Sequence, residues 1–141
     1  MTTQDYLSQI HHLNMRISNK LLEVFELKNL VGTVSTAIEE VNVQSGHASD
    51  RTGDIIAKIV DIERDVKTMA CEFADKKNHI IKQLETLDFN SYEVLYKRYV
   101  MQKQWGEIAT DLKYTQRHVR RLHSSALEAF EEKFGKEYLN D

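Results

Sequence analysis

The stretch WGEIATDLKYTQRHVRRLHSSALEAF, residues 105–130, contains two amphipathic segments separated by Lys113-Tyr114-Thr115. Apolar residues in the first segment recur at i, i+3, i+4 and i+7, the spacing of a helix that packs one face on a core. They are Trp105, Ile108, Ala109 and Leu112. Thr115 can cap a second helix by accepting from a backbone amide one turn on. The inward spacing of that helix is continued by Val119, Leu122, Ala126, Leu127 and Phe130. The stretch predicts a helix-turn-helix.

The outward side of the second predicted helix is rich in groups that read DNA. Arginine can bind guanine through two hydrogen bonds and glutamine can pair with adenine, while neighbouring cations hold phosphates. The opening turns of a recognition helix are the part that reaches base edges. We therefore predict DNA contacts at Gln116, Arg117, His118, Arg120 and Arg121, with backbone contacts from Lys113, Lys103 and Lys97.

The charge of the chain is concentrated in the same region. Residues 92–125 hold seven Lys or Arg against three Asp or Glu, a net charge of +4, whereas residues 1–91 hold ten against fourteen, a net charge of −4. A basic patch on a predicted reading helix indicates a polyanionic partner, here double-stranded DNA. The alternative interpretations are a merely solvated basic face and a helical hairpin that binds protein.

Composition indicates the fold class and the compartment. The 141 residues include no proline and only five glycines, which favours long helices and an all-α fold. The chain has no apolar run of membrane-spanning length, and Met1–Asp5 lacks the pattern of a signal peptide, so we expect a cytoplasmic protein without a membrane partner. Cys71, the single cysteine, is expected to be an ordinary helix residue.

Residues 1–90 predict a long antiparallel helical hairpin that resembles a coiled coil. The first helix begins after a cap at Thr2 or Thr3, and we expect Gly32 to end it. A flexible connector follows at about 32–53, and the second helix begins between Asp50 and Asp54 and runs towards Leu87. Residues 88–91 can cap a third helix from Tyr92. Residues 91–141 then form the helix-turn-helix domain.

Each long helix carries a seven-residue repeat of apolar side chains. One such stripe per helix must be buried against the other helix, against another copy, or against both. We expect a homodimer or higher oligomer, with a monomer as the alternative. The residues predicted at the oligomer interface are Ile10, Ile17, Val24, Ile59, Val66, Phe73 and Ile80.

Sites for metals, cofactors and catalysis are not expected. None of the six histidines pairs with another at the i, i+4 spacing that places two ligands on one helix face. Carboxylate pairs such as Asp61 and Asp65 lie on a lysine-rich helix, where salt bridging is the usual explanation. The chain has no glycine-rich phosphate loop and no nucleophile paired with a base, so we do not expect an enzyme.

Residues 95–127 resemble region 4 of bacterial RNA polymerase sigma factors. The similarity rests on Leu95, Arg98-Tyr99, Trp105-Gly106-Glu107-Ile108-Ala109, Leu112-Lys113-Tyr114-Thr115, Val119-Arg120-Arg121-Leu122-His123 and Ala126-Leu127. Lys103 and Lys113 occupy places where that family usually has glycine, and Gly106 stands where an acidic residue is common. The resemblance implies DNA binding and host RNA polymerase as a further candidate partner.

The whole chain resembles small regulators encoded in phages and prophages of Gram-positive bacteria. The similarity lies in the opening Asp5-Tyr6-Leu7-Ser8-Gln9-Ile10 and in Leu95-Tyr96-Lys97-Arg98-Tyr99-Val100, which leads into the sigma-like part. It implies phage or prophage transcription control in a bacterial host. Two alternatives remain: a small terminase-like DNA-packaging subunit, and an interaction protein that docks through its helical hairpin.

Overall fold

The structure, a computed structural model, describes residues 1–41 and 46–139, with side chains described for residues 1–33 and 50–139. All regular elements in these residues are helical, which confirms the predicted all-α class of a long hairpin followed by a small helical domain. The α-helices are α1 (Thr3–Val41), α2 (Gly46–Leu84), α3 (Phe89–Leu95), α4 (Trp105–Leu112) and α5 (Gln116–Phe134). Across the described residues, no helix has both the length and the apolar character needed to span a membrane.

Helix α1 begins with the predicted cap. The Thr2 hydroxyl accepts a hydrogen bond from the Asp5 backbone amide at 3.1 Å, and the Asp5 carboxylate accepts one from the Thr2 amide at 3.0 Å. These two bonds satisfy amides that the start of a helix leaves without intrahelical partners. They lower the pKa of Asp5, because a hydrogen-bond donor favours the ionised carboxylate. The first helix therefore starts where the sequence predicts.

The end of α1 and the start of α2 differ from the prediction. Gly32 does not end the first helix, which continues to Val41, and the second helix begins at Gly46, before the expected Asp50–Asp54. No described glycine has the positive φ of a helix-terminating left-handed cap. A right-handed glycine within a helix costs only about 1 kcal/mol relative to alanine, so the helix can continue through it. The predicted connector at 32–53 is thus helical in the residues described, and residues 42–45 lie outside them.

Contacts divide the chain into two compact units, residues 1–13 with 73–141 and residues 14–72. This division differs from the predicted boundary near residue 90, because both ends of the hairpin belong to the first unit. The buried core of the first unit draws half of its residues from α1 and α2. It contains Tyr6, Leu7, Ile10, Ile80, Leu84, Leu95, Tyr99, Ala126, Phe130 and Tyr138.

Aromatic rings and buried polar groups connect the ends of the chain within the first unit. The rings of Tyr6 and Tyr138 stack with centroids 4.3 Å apart, and Phe130 lies 5.9 Å from Tyr6. The hydroxyls of Thr3 and Tyr138 share a buried hydrogen bond of 2.9 Å. The Tyr6 hydroxyl donates to the buried Gln83 at 2.7 Å, so these two pairs of polar groups are satisfied, whereas Gln9 Oε1 is buried without a hydrogen-bond partner among the described residues.

In the second unit α1 and α2 pack against each other in antiparallel directions. Val24 is buried with Ile59 and Ile62, and four partly buried aliphatic side chains pack around them: Leu27, Val31, Ile55 and Val66. Three ion pairs bridge the two helices at 3.9–4.0 Å: Lys20–Asp65, Lys28–Glu63 and Lys58–Glu23. These are surface pairs, so the apolar stripe contributes most of the stability.

The residues predicted at an oligomer interface lie in the stripe between α1 and α2 of one chain, and association between copies remains a prediction. Ile10, Val24, Ile59 and Ile80 are buried within the chain, Val66 and Phe73 pack against the same clusters, and Ile17 is half-buried. The structure therefore uses the seven-residue repeat to pair α1 with α2. A single copy of the chain satisfies the pattern that the sequence analysis assigned to association between copies.

Helix α3 begins earlier than predicted and ends in a wider turn. The Asp88 carboxylate accepts from the Ser91 amide at 3.3 Å, so Asp88 caps a helix that starts at Phe89 and not at Tyr92. After Leu95 the chain forms a π-helical turn over Tyr96–Val100. Gln102 then adopts a positive φ of 57° before α4 begins. Such widened turns often occur at functional sites.

Candidate nucleic-acid interface

Helix α4 has the predicted bounds, α5 begins after the predicted Thr115 cap and continues to Phe134, and a small apolar cluster packs the two helices together. Ile108 and Ala109 of α4 are buried against Val119 of α5, and Trp105 and Leu112 pack against the cluster. These α4 residues are the members of the predicted i, i+3, i+4, i+7 stripe. Because the apolar stripe faces inward, the polar residues of both helices remain on the outside.

The turn between α4 and α5 has a left-handed residue and a side-chain cap. Lys113 adopts φ 60° and ψ 40°, the left-handed region in which glycine is the usual residue. Its left-handed conformation lets the Tyr114 amide donate to the Ala109 carbonyl at 3.0 Å. The Thr115 hydroxyl accepts from the His118 amide at 3.1 Å, which confirms the predicted cap. The turn thus sets where α5 begins.

The first turns of α5 present an exposed basic surface. Gln116, Arg117, Arg120 and Arg121 are exposed, and within the described residues none of these three arginines takes part in a salt bridge. The ring of His118 is half-buried and meets Tyr114 edge to face at 4.6 Å. No carboxylate of the described residues therefore occupies these three guanidinium groups, which leaves them available to an external anion.

A groove of about 650 Å³ lies beside this surface, between the starts of α4 and α5 and the π-helical turn. It is lined by Arg98, Gln104, Trp105, Gly106, Glu107, Gln116 and Arg120. The guanidinium of Arg98 lies 4.4 Å from the centre of the Trp105 ring, and that of Arg120 lies 5.9 Å from it. Cation–π contacts of this kind orient both arginines along the groove.

Arg98 was not among the predicted site residues. Arg98 lies outside α5, so the helical spacing used to predict the site could not include it. The π-helical turn and the contact with Trp105 bring Arg98 to the groove. Its Nη1 also donates to the Lys103 carbonyl at 3.0 Å, which fixes the guanidinium further. Gly106 also lines the groove, and a Cβ there would lie 3.3 Å from Gln116 Nε2, so the glutamine side chain would have to shift by a few tenths of an ångström. In the sequence, Arg98 stands out only as a member of the two runs that carry the family resemblances.

Two predicted backbone contacts, Lys97 and Lys103, are engaged within the chain. Lys97 Nζ lies 3.5 Å from the Glu93 carboxylate and 3.8 Å from Asp111, and Lys103 Nζ lies 2.5 Å from Asp111. The Lys103 hydrogen bond lowers the pKa of Asp111 and keeps that carboxylate ionised. Both lysines would have to give up these carboxylates to reach a phosphate. Lys113, by contrast, is exposed in the turn.

His123 is buried beneath the groove and supports its aromatic wall. Its Nε2 lies 2.8 Å from the Tyr99 hydroxyl, and the Trp105 ring meets the imidazole edge to face at 4.7 Å. Burial, assisted by the nearby Arg98 charge, lowers the pKa of His123 to about 4. The ring is therefore neutral at pH 7. Among the described residues, no group of three or more His, Cys, Asp or Glu side chains could hold a metal ion.

Comparisons with protein-family models, with characterised proteins and with solved structures give no match to this chain.

Proposed function

We propose that the chain is a sequence-specific, double-stranded DNA-binding regulator without enzymatic activity, acting in phage or prophage transcription. The observation that carries this proposal is the set of exposed arginines on the first turns of α5, which form no salt bridge with any described residue. A recognition helix needs such groups near its N-terminus, directly after a short turn. The resemblance of residues 95–127 to sigma region 4 supports the same assignment, and host RNA polymerase is a further proposed partner.

The placement of the basic residues supports separate roles for them. Gln116 and Arg117 open α5, where side chains reach base edges, so they are proposed to read sequence. Arg121 lies one turn beyond Arg117 on the same side of the helix and extends that row. Arg98 and Arg120, both held against Trp105, are proposed to hold a phosphate, with Lys113 at the turn.

Selection from random double-stranded DNA with the full chain, followed by an electrophoretic shift assay, tests this proposal. We expect an enriched motif, and Arg117→Ala should lose about 1–3 kcal/mol at one cognate base and relax the preference there. Arg98→Ala should weaken binding to all sequences alike. It should also reduce the slope of log affinity against log salt concentration by about one, the value expected for one lost phosphate contact.

Lys97→Ala is the matched control, because its ammonium is already paired with Glu93 and Asp111. We expect that variant to bind the enriched motif with nearly unchanged affinity. The proposal would be wrong if selection enriched no motif and weak binding were indifferent to the double change Arg117→Ala and Arg120→Ala. Circular dichroism of each variant separates a lost contact from a lost fold.

A further inference from the structure

The unit formed by residues 14–72 leaves several large apolar side chains in solvent. Phe25 is 62% exposed, and Leu21, Ile56 and Val60 are each about half exposed, at 50%, 48% and 50%. Only Val24, Ile59 and Ile62 are buried in the cluster that joins the two helices here. Two helices alone can bury only the stripe between them, so these other side chains are left without full cover from the described side chains.

The four exposed side chains lie on one side of the helix pair, which we call the apolar face (Leu21, Phe25, Ile56 and Val60). Leu21 and Phe25 precede Lys28 by seven and three residues, and Ile56 and Val60 precede Glu63 by the same spacings. Residues three and seven apart share a side of a helix. Lys28 and Glu63 meet across the two helices at 3.9 Å, so both apolar pairs lie on the side that this ion pair marks.

The opposite side of the same unit carries a charged pair, beside which Leu30 of α1 is exposed. Glu23 and Lys58 come two residues before Phe25 and Val60, about 200° around each helix. They form an ion pair with each other at 3.9 Å and therefore lie on the other side of the helix pair. Both helices thus contribute exposed apolar side chains to the first side, whereas the other side has a charged pair and exposed Leu30 from α1 alone, as in a helix pair that buries one face against a partner.

We propose that the apolar face binds a second copy of this chain, so that two helix pairs form a four-helix bundle. Both helices contribute an equivalent apolar pair, so the face is self-complementary about a two-fold axis. Four half-exposed side chains present on the order of 300–400 Å² of apolar surface, about half of the roughly 800 Å² that each partner buries in a stable interface. The polar residues around the apolar face would supply the rest of the buried area.

The charges beside the face favour this occupant. Lys28 and Glu63 form a neutral pair at its border, so two copies would meet without like-charge repulsion there. In a two-fold arrangement, Lys28 of each copy can lie near the partner's Glu63. The ion pair within each chain can then be replaced by the same pair between chains. This interface uses different residues from those predicted at the sequence level, and it does not depend on DNA binding by α5.

Analytical ultracentrifugation of the full chain at tens of micromolar tests the interface. The chain should sediment as a dimer, and Phe25→Glu or Val60→Glu should each raise the dimer dissociation constant at least about 30-fold, as expected for loss of a central contact. Leu30→Glu is the matched control. Leu30 is also exposed, at 46%, but follows Lys28 by two residues and so lies on the opposite side of α1.

Phe25→Glu and Val60→Glu replace side chains that are at least half exposed, so the helix content of each variant by circular dichroism should match that of the unchanged chain. A monomer at these concentrations overturns the proposal, and so does a dimer that resists both Phe25→Glu and Val60→Glu. A monomer that binds purified RNA polymerase only when Phe25 is intact would assign the face to another protein instead. The monomeric variants should retain α5 binding to a single DNA half-site, so failure of the dimer remains distinguishable from failure of the proposed function.

Discussion

His123 shows how a single buried side chain relates the stability of the helix-turn-helix to pH. It lies between the Tyr99 hydroxyl and the Trp105 ring, where water cannot solvate a charged imidazole. Its folded pKa of about 4 lies below the ordinary value of 6.5. The contribution of neutral His123 is therefore fully present above pH 6.5 and is lost as the pH falls from 6.5 towards 4, because the unfolded chain takes up the proton first.

We predict that the free energy of unfolding falls by about 1–2 kcal/mol between pH 7 and pH 5 through His123 alone. His123→Gln should lower stability at pH 7 and remove this part of the pH dependence, as measured by urea unfolding at both values. His118→Gln is the control, since that ring lies at the surface of α5 against Tyr114. An unchanged pH dependence in His123→Gln would contradict the assignment.

At the scale of elements, two glycines that look alike in sequence have different surroundings. Gly32 lies inside α1, and among the described residues a Cβ added there would have no atom within 4 Å apart from the nearby backbone of its own helix. Gly135 follows α5, and its Cβ would lie 2.9 Å from Leu139 Cδ1 and 3.1 Å from Glu131 Cγ. The backbone conformation of both glycines is one that alanine can adopt, since no described glycine has a positive φ. The space around each glycine therefore decides what alanine does.

We expect Gly32→Ala to raise the stability of the helix pair by about 0.5–1 kcal/mol, because alanine loses less backbone entropy on folding. Gly135→Ala should give no such gain, since Leu139 and Glu131 would have to move. Thermal unfolding followed by circular dichroism, with both variants at equal concentration, compares the two. A destabilised Gly32→Ala would mean that α1 does not continue through this residue.

At the scale of the molecule, the small helical domain is completed by both ends of the long hairpin. Tyr6, Leu7 and Ile10 from α1, with Ile80 and Leu84 from α2, supply five of the ten buried core residues of that unit. Without them Phe130, Leu95 and Tyr99 would be exposed to water. A fragment this short also buries a small share of its surface.

We predict that residues 88–141 alone are poorly folded, with low helix content and no cooperative thermal transition. Residues 1–13 joined through a short Gly-Ser linker to residues 73–141 should fold, because Ile10 and Phe73 pack in one cluster and the cut ends lie close together. Circular dichroism and thermal melts of the two chains provide the measurement. Cooperative folding of residues 88–141 by themselves would show that the domain ends near residue 90 after all.

Local sequence was sufficient to predict the elements whose signals lie within a few residues. The bounds of α4, the Thr115 cap and the inward positions Ile108 and Val119 follow from helical spacing and capping chemistry, which depend on neighbours along the chain. The exposed arginines of α5 were predicted for the same reason. Their role in DNA recognition remains a proposal that the selection experiment tests.

Tertiary contacts decided the features that local spacing leaves open. A seven-residue repeat is equally suited to pairing within a chain and between chains, and only packing assigns Val24 and Ile59 to the intrachain stripe. Likewise, the sequence gives no carboxylate partner for Lys97 or Lys103 at Asp111, but the fold brings Asp111 to both of them. The π-helical turn brings Arg98 to Trp105 in the same way. The physical reason is that burial, ion pairing and the choice of helix partner depend on residues distant in sequence, whereas helical periodicity and capping do not.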